Sequence, residues 1–379
     1  FFKVRRNKVE HGEEEILGLS LDLSRYGAFK SLDWEIKFGG RSDWISKNHN
    51  VDQTYLNAGS TPINLAHAAL TQSTLSNFLD GRYRFGPSID YQAAEHFLQT
   101  NPQESLFILD DRRSQRTSAS EDLGINQLKT SSYAQLKLSG KRVSALLGLR
   151  GEHLSSDTVV KLLDETSSQL LISETEHNNT SFNLLPRITV LYSASEQFQF
   201  RLGYSEALAI PDYALIGGSG HIRIDDEGTK LVRLPNPELD PARLRSKNAE
   251  LIWSPENKIL ASIYGYIDDF SSVPRLVTSP GPLANDTTQP VGLGAYTLRG
   301  AEIRLEYREN VHRMGIDEIG MSLASGFVDL ETNDPASSLL TAPFRFPSET
   351  LNLEVFAASP KGDLRIAYHR TSAFLKSTS

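Results

Sequence analysis

The sequence has no cysteine among its 379 residues, so neither a disulfide framework nor a cysteine-ligated zinc site can form. The absence fits export through an oxidising compartment, where stray thiols would pair wrongly. The nine histidines are scattered, and no two of them are spaced as His-x-x-x-His. Because these zinc patterns and every recognisable catalytic signature are missing, we expect no enzyme activity, no metal site and no cofactor.

Long apolar runs are also missing. No stretch of about 18 apolar residues occurs, which excludes a transmembrane helix. The mean hydropathy is only −0.34, but a membrane β-barrel is compatible with that value because only alternate residues of its strands touch lipid. A positive charge excess is missing as well. The net charge of −8 argues against nucleic acid as a partner.

The chain is rich in alternation between apolar and polar residues, and the segment 299–308 is the clearest case. Its apolar positions are Ala301, Ile303, Leu305 and Tyr307. Its charged positions are Glu302, Arg304, Glu306 and Arg308. Successive side chains of a strand point to opposite faces. In a membrane barrel the apolar set would meet lipid, and the charged set would face a wet lumen.

The same pattern recurs along the chain and predicts an all-β fold, namely part of an antiparallel up-and-down transmembrane β-barrel. The predicted strands cover residues 11–24, 31–45, 124–138, 142–154, 180–193, 197–206, 245–254, 258–270, 296–309, 315–330, 348–358 and 362–374. Short links with turn residues, the first at Tyr26-Gly27, alternate with long links. Short periplasmic turns and long extracellular loops are typical of bacterial outer-membrane barrels.

The long links are predicted at residues 46–123, 155–179, 207–244, 271–295 and 331–347. The first is far longer than an ordinary loop, and we expect it to form a large structured extracellular loop. Apolar spacing predicts one helix over 62–80 and another over 89–98. The loop is either a functional cap or an insertion that packs on itself and binds nothing.

Four stretches resemble, in order, the barrel part of TonB-dependent outer-membrane receptors. Ile36–Arg41 resembles a Lys-Phe-Gly-x-Arg strand end, and Ser205–Tyr213 resembles Ser-Lys-Thr-Leu-Ala-Arg-Pro-Asp-Phe, with Ile210 in place of the Arg. Asn236–Pro241 is similar to the Asn-Pro-x-Leu-x-Pro that precedes a strand, and Gly300–Ile303 to a Gly-Val-Glu-Leu strand opening. Nearly the whole chain is covered, and the likeness is coarse over 46–123.

The resemblance implies a bacterial outer-membrane location, with membrane lipid, a ligand and an energy-transducing inner-membrane protein as partners. Such transporters have about 22 strands and a plugged lumen. The plug, the short coupling segment and the closing strands of the family are not visible between Phe1 and Ser379. We therefore expect residues 1–379 to be a portion of a single larger barrel; a twelve-stranded barrel that closes on itself is the alternative.

Ligand-binding candidates lie in or beside the predicted long links. Aromatic faces stack on sugar rings or flat chelates, and neighbouring charged groups fix polar atoms of a ligand. The candidates are Trp44, Tyr55, Tyr83, Arg84, Asp212 and Tyr213. The alternative is an interfacial aromatic belt for Trp44 and internal loop packing for the others.

The leading functional hypothesis is substrate-specific, energy-coupled import of a nutrient too large or too scarce for porins. An oligosaccharide is slightly favoured over an iron chelate, because the resembled group is rich in saccharide importers. Two alternatives stay open. One is a passive porin-like or structural outer-membrane barrel, and the other is a soluble extracellular all-β binding protein.

Overall fold

A computed structural model gives the architecture of the protein and describes residues 4–59, 75–78, 83–85, 96, 107–167, 169–226, 228–255, 258–281, 285–313, 315–332 and 347–373. Its strands are β1 (Val4–Phe29), β2 (Leu32–Ala58), β3 (Leu75–Phe78), β4 (Tyr83–Phe85), β5 (Phe107–Leu109), β6 (Leu123–Ser139), β7 (Val143–Asp164), β8 (Leu171–Ser193), β9 (Phe198–Ala209), β10 (Gly218–Ile224), β11 (Lys230–Arg233), β12 (Ala242–Trp253), β13 (Ile259–Gly281), β14 (Asn285–Arg313), β15 (Ile316–Thr332), β16 (Glu349–Ser359) and β17 (Gly362–Thr371). Its helices are α1 (Asp111–Glu121) and α2 (Tyr213–Ile216).

The twelve long strands form one continuous antiparallel sheet. Their order is β1-β2-β6-β7-β8-β9-β12-β13-β14-β15-β16-β17, so each long strand pairs with the next long strand along the chain. Within the described residues the order starts at β1 and ends at β17, which leaves the wall open between these two strands. The predicted fold class, an up-and-down antiparallel barrel in part, is confirmed.

Several strands are much longer than predicted. β2 has 27 residues and β14 has 29, whereas about 9–11 residues suffice to cross a bilayer. The predicted links 155–179 and 271–295 are therefore mostly strand, because β7 and β8 are separated only by 165–170, and β13 and β14 only by 282–284. Water wets both faces of these outer halves, so the apolar–polar alternation that signals a strand fades there.

The first hairpin turn lies at Lys30 and Ser31, beyond the predicted Tyr26-Gly27. Lys30 has φ of 56°, the left-handed conformation that tight turns use. Gly27 lies inside β1 opposite Trp34, and a Cβ at this position would collide with the Trp34 ring. The glycine thus permits close packing of an aromatic ring and does not mark the chain reversal.

The link between β2 and β6 also differs from the prediction. β2 continues to Ala58, so the link begins well after residue 46. The predicted helix over 62–80 is described only at Leu75–Phe78, which is a strand because it pairs with β4. The predicted helix over 89–98 is described only at His96, which is helical; the remainder of both predictions lies outside the described residues. Neither described helix was predicted, and neither is long and apolar enough to cross a bilayer.

One face of the sheet is apolar and exposed. Leu147 in β7 pairs with Leu136 in β6 and Ile188 in β8, and it is 40% exposed. The same face carries exposed side chains at Leu17, Leu19, Leu21, Leu23, Phe38, Leu128, Leu149, Phe182, Phe200, Leu202, Ile263, Ile303, Met321, Val355 and Ile366. A soluble monomer rarely exposes an apolar patch above a few hundred Å². A lipid environment is the one that fits this surface.

The opposite face carries paired charges. Glu152 of β7 lies 3.2 Å from Lys129 of β6 and 2.6 Å from Arg150. Arg201 of β9 lies 2.9 Å from Glu250 of β12. Opposite charges on adjacent strands stabilise a sheet and neutralise one another, so this face is suited to a wet lumen.

We expect an arginine at Leu147 to cost about 2–4 kcal/mol of folding free energy, because the new charge would face hydrocarbon near the bilayer midplane. The adjacent Leu146 lies on the opposite face between Lys137 and Thr189, so Leu146→Arg serves as the matched control and loses much less. Urea titration of both variants refolded into lipid vesicles measures the difference. Equal losses for the two variants would count against a lipid-facing Leu147.

Candidate ligand-binding site

The two ends of the sheet differ. Turns of a few residues join β1 to β2, β6 to β7, β8 to β9, β12 to β13, β14 to β15 and β16 to β17 at one end. The other connections, which include the long ones from β2 to β6 and from β9 to β12, meet at the other end, called the loop end below. There the residues between β9 and β12 form α2 and the β10–β11 hairpin, and the residues before β6 form α1.

The β10–β11 hairpin bridges two distant strands at the loop end. β10 pairs in parallel with Val160–Asp164 of β7, and β11 pairs in parallel with Asn285–Thr288 of β14. β7 and β14 are separated by four strands in the sheet order. The hairpin uses edges that the main sheet leaves unpaired, because β6 pairs with β7 only up to Val159 and β15 pairs with β14 only from Tyr296. The loop end is therefore a built assembly with its own hydrogen-bond ladder.

Helix α1 attaches to the edge of β2 through its side chains. Residues four apart on a helix rise about 6 Å, close to the roughly 6.6 Å between alternate residues of a strand. Three side-chain oxygens, two on the helix and one on the residue after it, therefore accept hydrogen bonds of 2.8 Å from three alternate backbone amides of β2. The pairs are Tyr55 N with Ser114 Oγ, Gln53 N with Ser118 Oγ, and Val51 N with Asp122 Oδ1.

Tyr55, a predicted site residue, lies under this helix. Its side chain is 8% exposed, and the Arg113 guanidinium lies 4.2 Å from the centre of its ring. The Arg6 guanidinium lies 5.8 Å from the same ring. Tyr55 is thus positioned by a cation–π contact within the protein, in agreement with the internal-packing alternative.

Asp212 and Tyr213 lie together at the start of α2. The Asp212 side chain accepts a hydrogen bond of 3.0 Å from Ala214 N and so caps the helix. The Tyr213 hydroxyl donates to Gln127 Oε1 at 3.2 Å, and Lys47 Nζ lies 5.2 Å from its ring. Burial, with a smaller effect of Glu14, raises the pKa of Tyr213.

The other predicted ligand residues are not brought to this position. Trp44 lies on the apolar face beside Leu17 and Leu128 and is 50% exposed, which suits an interfacial aromatic. Tyr83 and Arg84 belong to β4, which pairs with β3, and their side chains lie outside the described part of the structure. Of the predicted ligand residues that the structure describes, only Asp212 and Tyr213 are brought together, and Tyr55 lies at the loop end under α1.

The predicted lumen-facing residues lie on the face opposite Ile303. Arg304 Nε donates to Glu306 Oε1 at 2.9 Å, and the Arg308 guanidinium lies 5.7 Å from the Phe356 ring. Glu302 pairs in register with Tyr264 and Gly326. Arg304 and Glu306 contact each other and Arg308 contacts a neighbouring ring, so these three residues stabilise the wall. The orientation of all four residues toward a lumen stays a prediction.

Two adjoining cavities lie between α1 and the β10–β11 hairpin, with volumes of 490 Å³ and 730 Å³. Both are lined by Ser120, His221, Arg233 and Leu276. The larger one adds Arg116 and Arg223 among its lining residues. Sequence reasoning missed these cationic residues. The alternation His221-Ile222-Arg223-Ile224 was the available signal for a strand with one basic face in this link.

A third depression of 880 Å³ lies on the apolar face of the sheet, lined in part by Leu202, Ala249, Gly265, Ala301 and Phe327. These residues pair in register across β9, β12, β13, β14 and β15. Because this face is the lipid-facing one, the depression is a surface for lipid and not a candidate site for a polar nutrient. Among the described residues, no group of three or more His, Asp or Glu side chains is placed to hold a metal ion.

Antiparallel strands paired in chain order, one apolar exposed face and an elaborated loop end are typical of an outer-membrane β-barrel. A sequence model of the family "TonB dependent receptor-like, beta-barrel" matches residues 6–372. The chain belongs to the TonB-dependent receptor family. Receptors of this family are transporters of the bacterial outer membrane, so the soluble alternative does not apply.

Three solved structures share the fold. The alcaligin outer-membrane receptor FauA from Bordetella pertussis has a TM-score of 0.52 at 10% identity, over 96% of this chain and 47% of its own. The ferric-catecholate import receptor Fiu from E. coli K12 has a TM-score of 0.52 at 10% identity, and the match covers 92% of this chain and 44% of Fiu. The siderophore receptor PiuA from Acinetobacter baumannii has a TM-score of 0.52 at 12% identity, and the match covers 92% of this chain and 44% of PiuA.

At these identities the likeness shows the fold alone. The chain spans less than half the length of each of these receptors. No curated protein sequence matches the chain significantly.

Ser118→Ala tests the attachment of α1 to β2. Alanine favours a helix more than serine does, yet we expect a loss of about 1–3 kcal/mol in local stability because the Gln53 amide loses its partner. Hydrogen exchange of segments 51–57 and 111–121 measures that loss. Ser120→Ala is the control, since the Ser120 hydroxyl donates only to Thr117 O within the helix. Equal protection in both variants would refute the attachment.

Proposed function

We propose that the protein is a substrate-specific, energy-coupled importer of the bacterial outer membrane, and that this chain supplies part of its barrel. The observation that supports this best is the loop-end assembly of α1, α2 and the β10–β11 hairpin in a member of the TonB-dependent receptor family. A ligand is captured there, and passage through the lumen follows when a plug rearranges. The energy comes from an inner-membrane protein through an N-terminal coupling segment.

The nutrient is too large or too scarce for a porin. Saccharide or chelate recognition needs flat apolar faces with directional polar groups, and the loop end supplies such groups in Tyr213, Asp212 and the cavity residues. The oligosaccharide that the family resemblance slightly favours remains a proposal. FauA, Fiu and PiuA are described as receptors for alcaligin, ferric catecholates and siderophores, which keeps an iron chelate as the alternative ligand.

A passive porin-like barrel is the competing function. Its loops would leave a free path, whereas the β10–β11 hairpin here ties β7 to β14 across four intervening strands. A structured bridge of this kind favours selective capture over free diffusion.

Growth experiments separate the two functions. Cells with and without the receptor gene are grown on single oligosaccharides or single iron chelates, each in strains with and without the energy-transducing inner-membrane protein. We expect growth on at least one such source to require both genes. Growth that requires the receptor but not the energy-transducing protein would establish a passive channel and contradict the proposal.

A further inference from the structure

The 730 Å³ cavity has a floor built from one face of four strands. Arg233 of β11 pairs in register with His221 of β10 on one side and with Thr288 of β14 on the other. Thr288 pairs in turn with Thr278 of β13, and their hydroxyls lie 2.8 Å apart. Paired residues of adjacent strands share a face, so these side chains all face the same space. Arg223, two residues after His221, shares that face.

Helix α1 forms the wall above this floor. Arg116 and Ser120 line the cavity from the helix, and Arg116 Nη1 lies 3.2 Å from Glu165 Oε2 just after β7. The helix is held in place on its other side by Ser219 Oγ, which donates to Ser120 O at 2.8 Å. The cavity is therefore an open one whose walls are bonded to one another, which gives a site fixed geometry before a ligand arrives.

The charges in the cavity do not balance locally. The Arg116 charge is compensated by Glu165. Arg223 and Arg233 form no ion pair with any residue that the structure describes, although Asp286 lines the same cavity. As diagonal neighbours on paired strands their backbones lie about 7–8 Å apart. Both side chains are exposed, and both lie on the face that lines the cavity.

The electrostatic state of His221 agrees with a positive cavity. Burial lowers the pKa of His221, Glu165 opposes that effect, and Arg233, Arg116 and Arg223 lower the pKa further. The imidazole is therefore neutral near pH 7. It remains able to accept or donate a hydrogen bond without adding to the charge of the arginines.

We propose that this cavity binds the carboxylate groups of the imported nutrient, with Arg223 and Arg233 as the two anchoring residues. The planar guanidinium fork matches a carboxylate in a bidentate way. The hydroxyls of Ser120, Thr278 and Thr288 also line the cavity and can form hydrogen bonds with other polar atoms of the ligand. The cavity volume lies within the range of about 300–1,000 Å³ that is typical of ligand pockets. The proposal rests on the import function above and narrows its ligand to an acidic oligosaccharide or a carboxylate-type iron chelate.

Calorimetric titration of the purified protein in detergent tests the proposal and separates the two ligand sources. The probes are trigalacturonate and ferric citrate, each with an uncharged counterpart: methyl-esterified trigalacturonate and a neutral ferric trihydroxamate. We expect one carboxylate probe to bind and its uncharged counterpart to bind at least roughly tenfold more weakly, since hydrogen bonds between charged groups are stronger than those between neutral groups. The probe that binds identifies the source.

Substitutions locate the binding. Arg223→Gln and Arg233→Gln should each weaken binding roughly tenfold or more. Arg245→Gln is the matched control, because Arg245 is an exposed arginine on the face of Leu202 and lies 3.8 Å from Glu206. Arg223→Lys and Arg233→Lys keep the positive charge but lose the planar guanidinium group that can bind a carboxylate through two parallel hydrogen bonds. If a glutamine variant does not refold, the lysine variant is measured in its place, and we expect its affinity for the carboxylate probe to be several-fold lower.

Three results would overturn the proposal: binding of neither carboxylate probe, equal binding of an uncharged counterpart, or unchanged affinity in the arginine variants. Titration in detergent involves no energy source. Failure here would therefore leave the import proposal intact, and that proposal is decided separately by the growth of cells lacking the energy-transducing protein.

Discussion

The structure depends on one constraint: a backbone that crosses hydrocarbon must satisfy its N–H and C=O groups within the protein, because no water is available there. Twelve long strands meet that demand by pairing in sequence order from β1 to β17. The outward side chains of this ladder are apolar at Leu147, Ile188 and Leu202. The side chains on the opposite face are charged and neutralise one another, as Lys129, Glu152 and Arg150 do.

The same constraint extends in weaker form to the loop end. The long hairpins rise beyond the bilayer and leave unpaired strand edges, which would invite unwanted pairing. The β10–β11 hairpin covers the edges of β7 and β14. Helix α1 covers the edge of β2 with Ser114, Ser118 and Asp122. The hairpin and the helix that cover these edges also line the cavity that contains Arg223 and Arg233. The candidate site therefore forms where the backbone groups of these strand edges find their hydrogen-bond partners.

The membrane-spanning part was predictable from sequence because lipid on one face and water on the other impose a period of two, as at Ile303 and Arg304. All twelve long strands were found for that reason. Their outer halves were missed, since segments such as Ser173–Asn179 are polar on both faces. The cavity was missed as well. It arises from pairings such as Arg233 with Thr288, which join residues far apart in sequence and leave no local pattern.

Alternation of the two faces along β14 is the central claim, and the absence of cysteine allows a direct test. Single cysteines placed at each position from 301 to 308 and spin-labelled in membranes report accessibility to oxygen in lipid and to a water-soluble nickel chelate. The account predicts oxygen accessibility at Ala301, Ile303, Leu305 and Tyr307, and nickel accessibility at Glu302, Arg304, Glu306 and Arg308. A profile without a period of two, or one with the two sets exchanged, would contradict it.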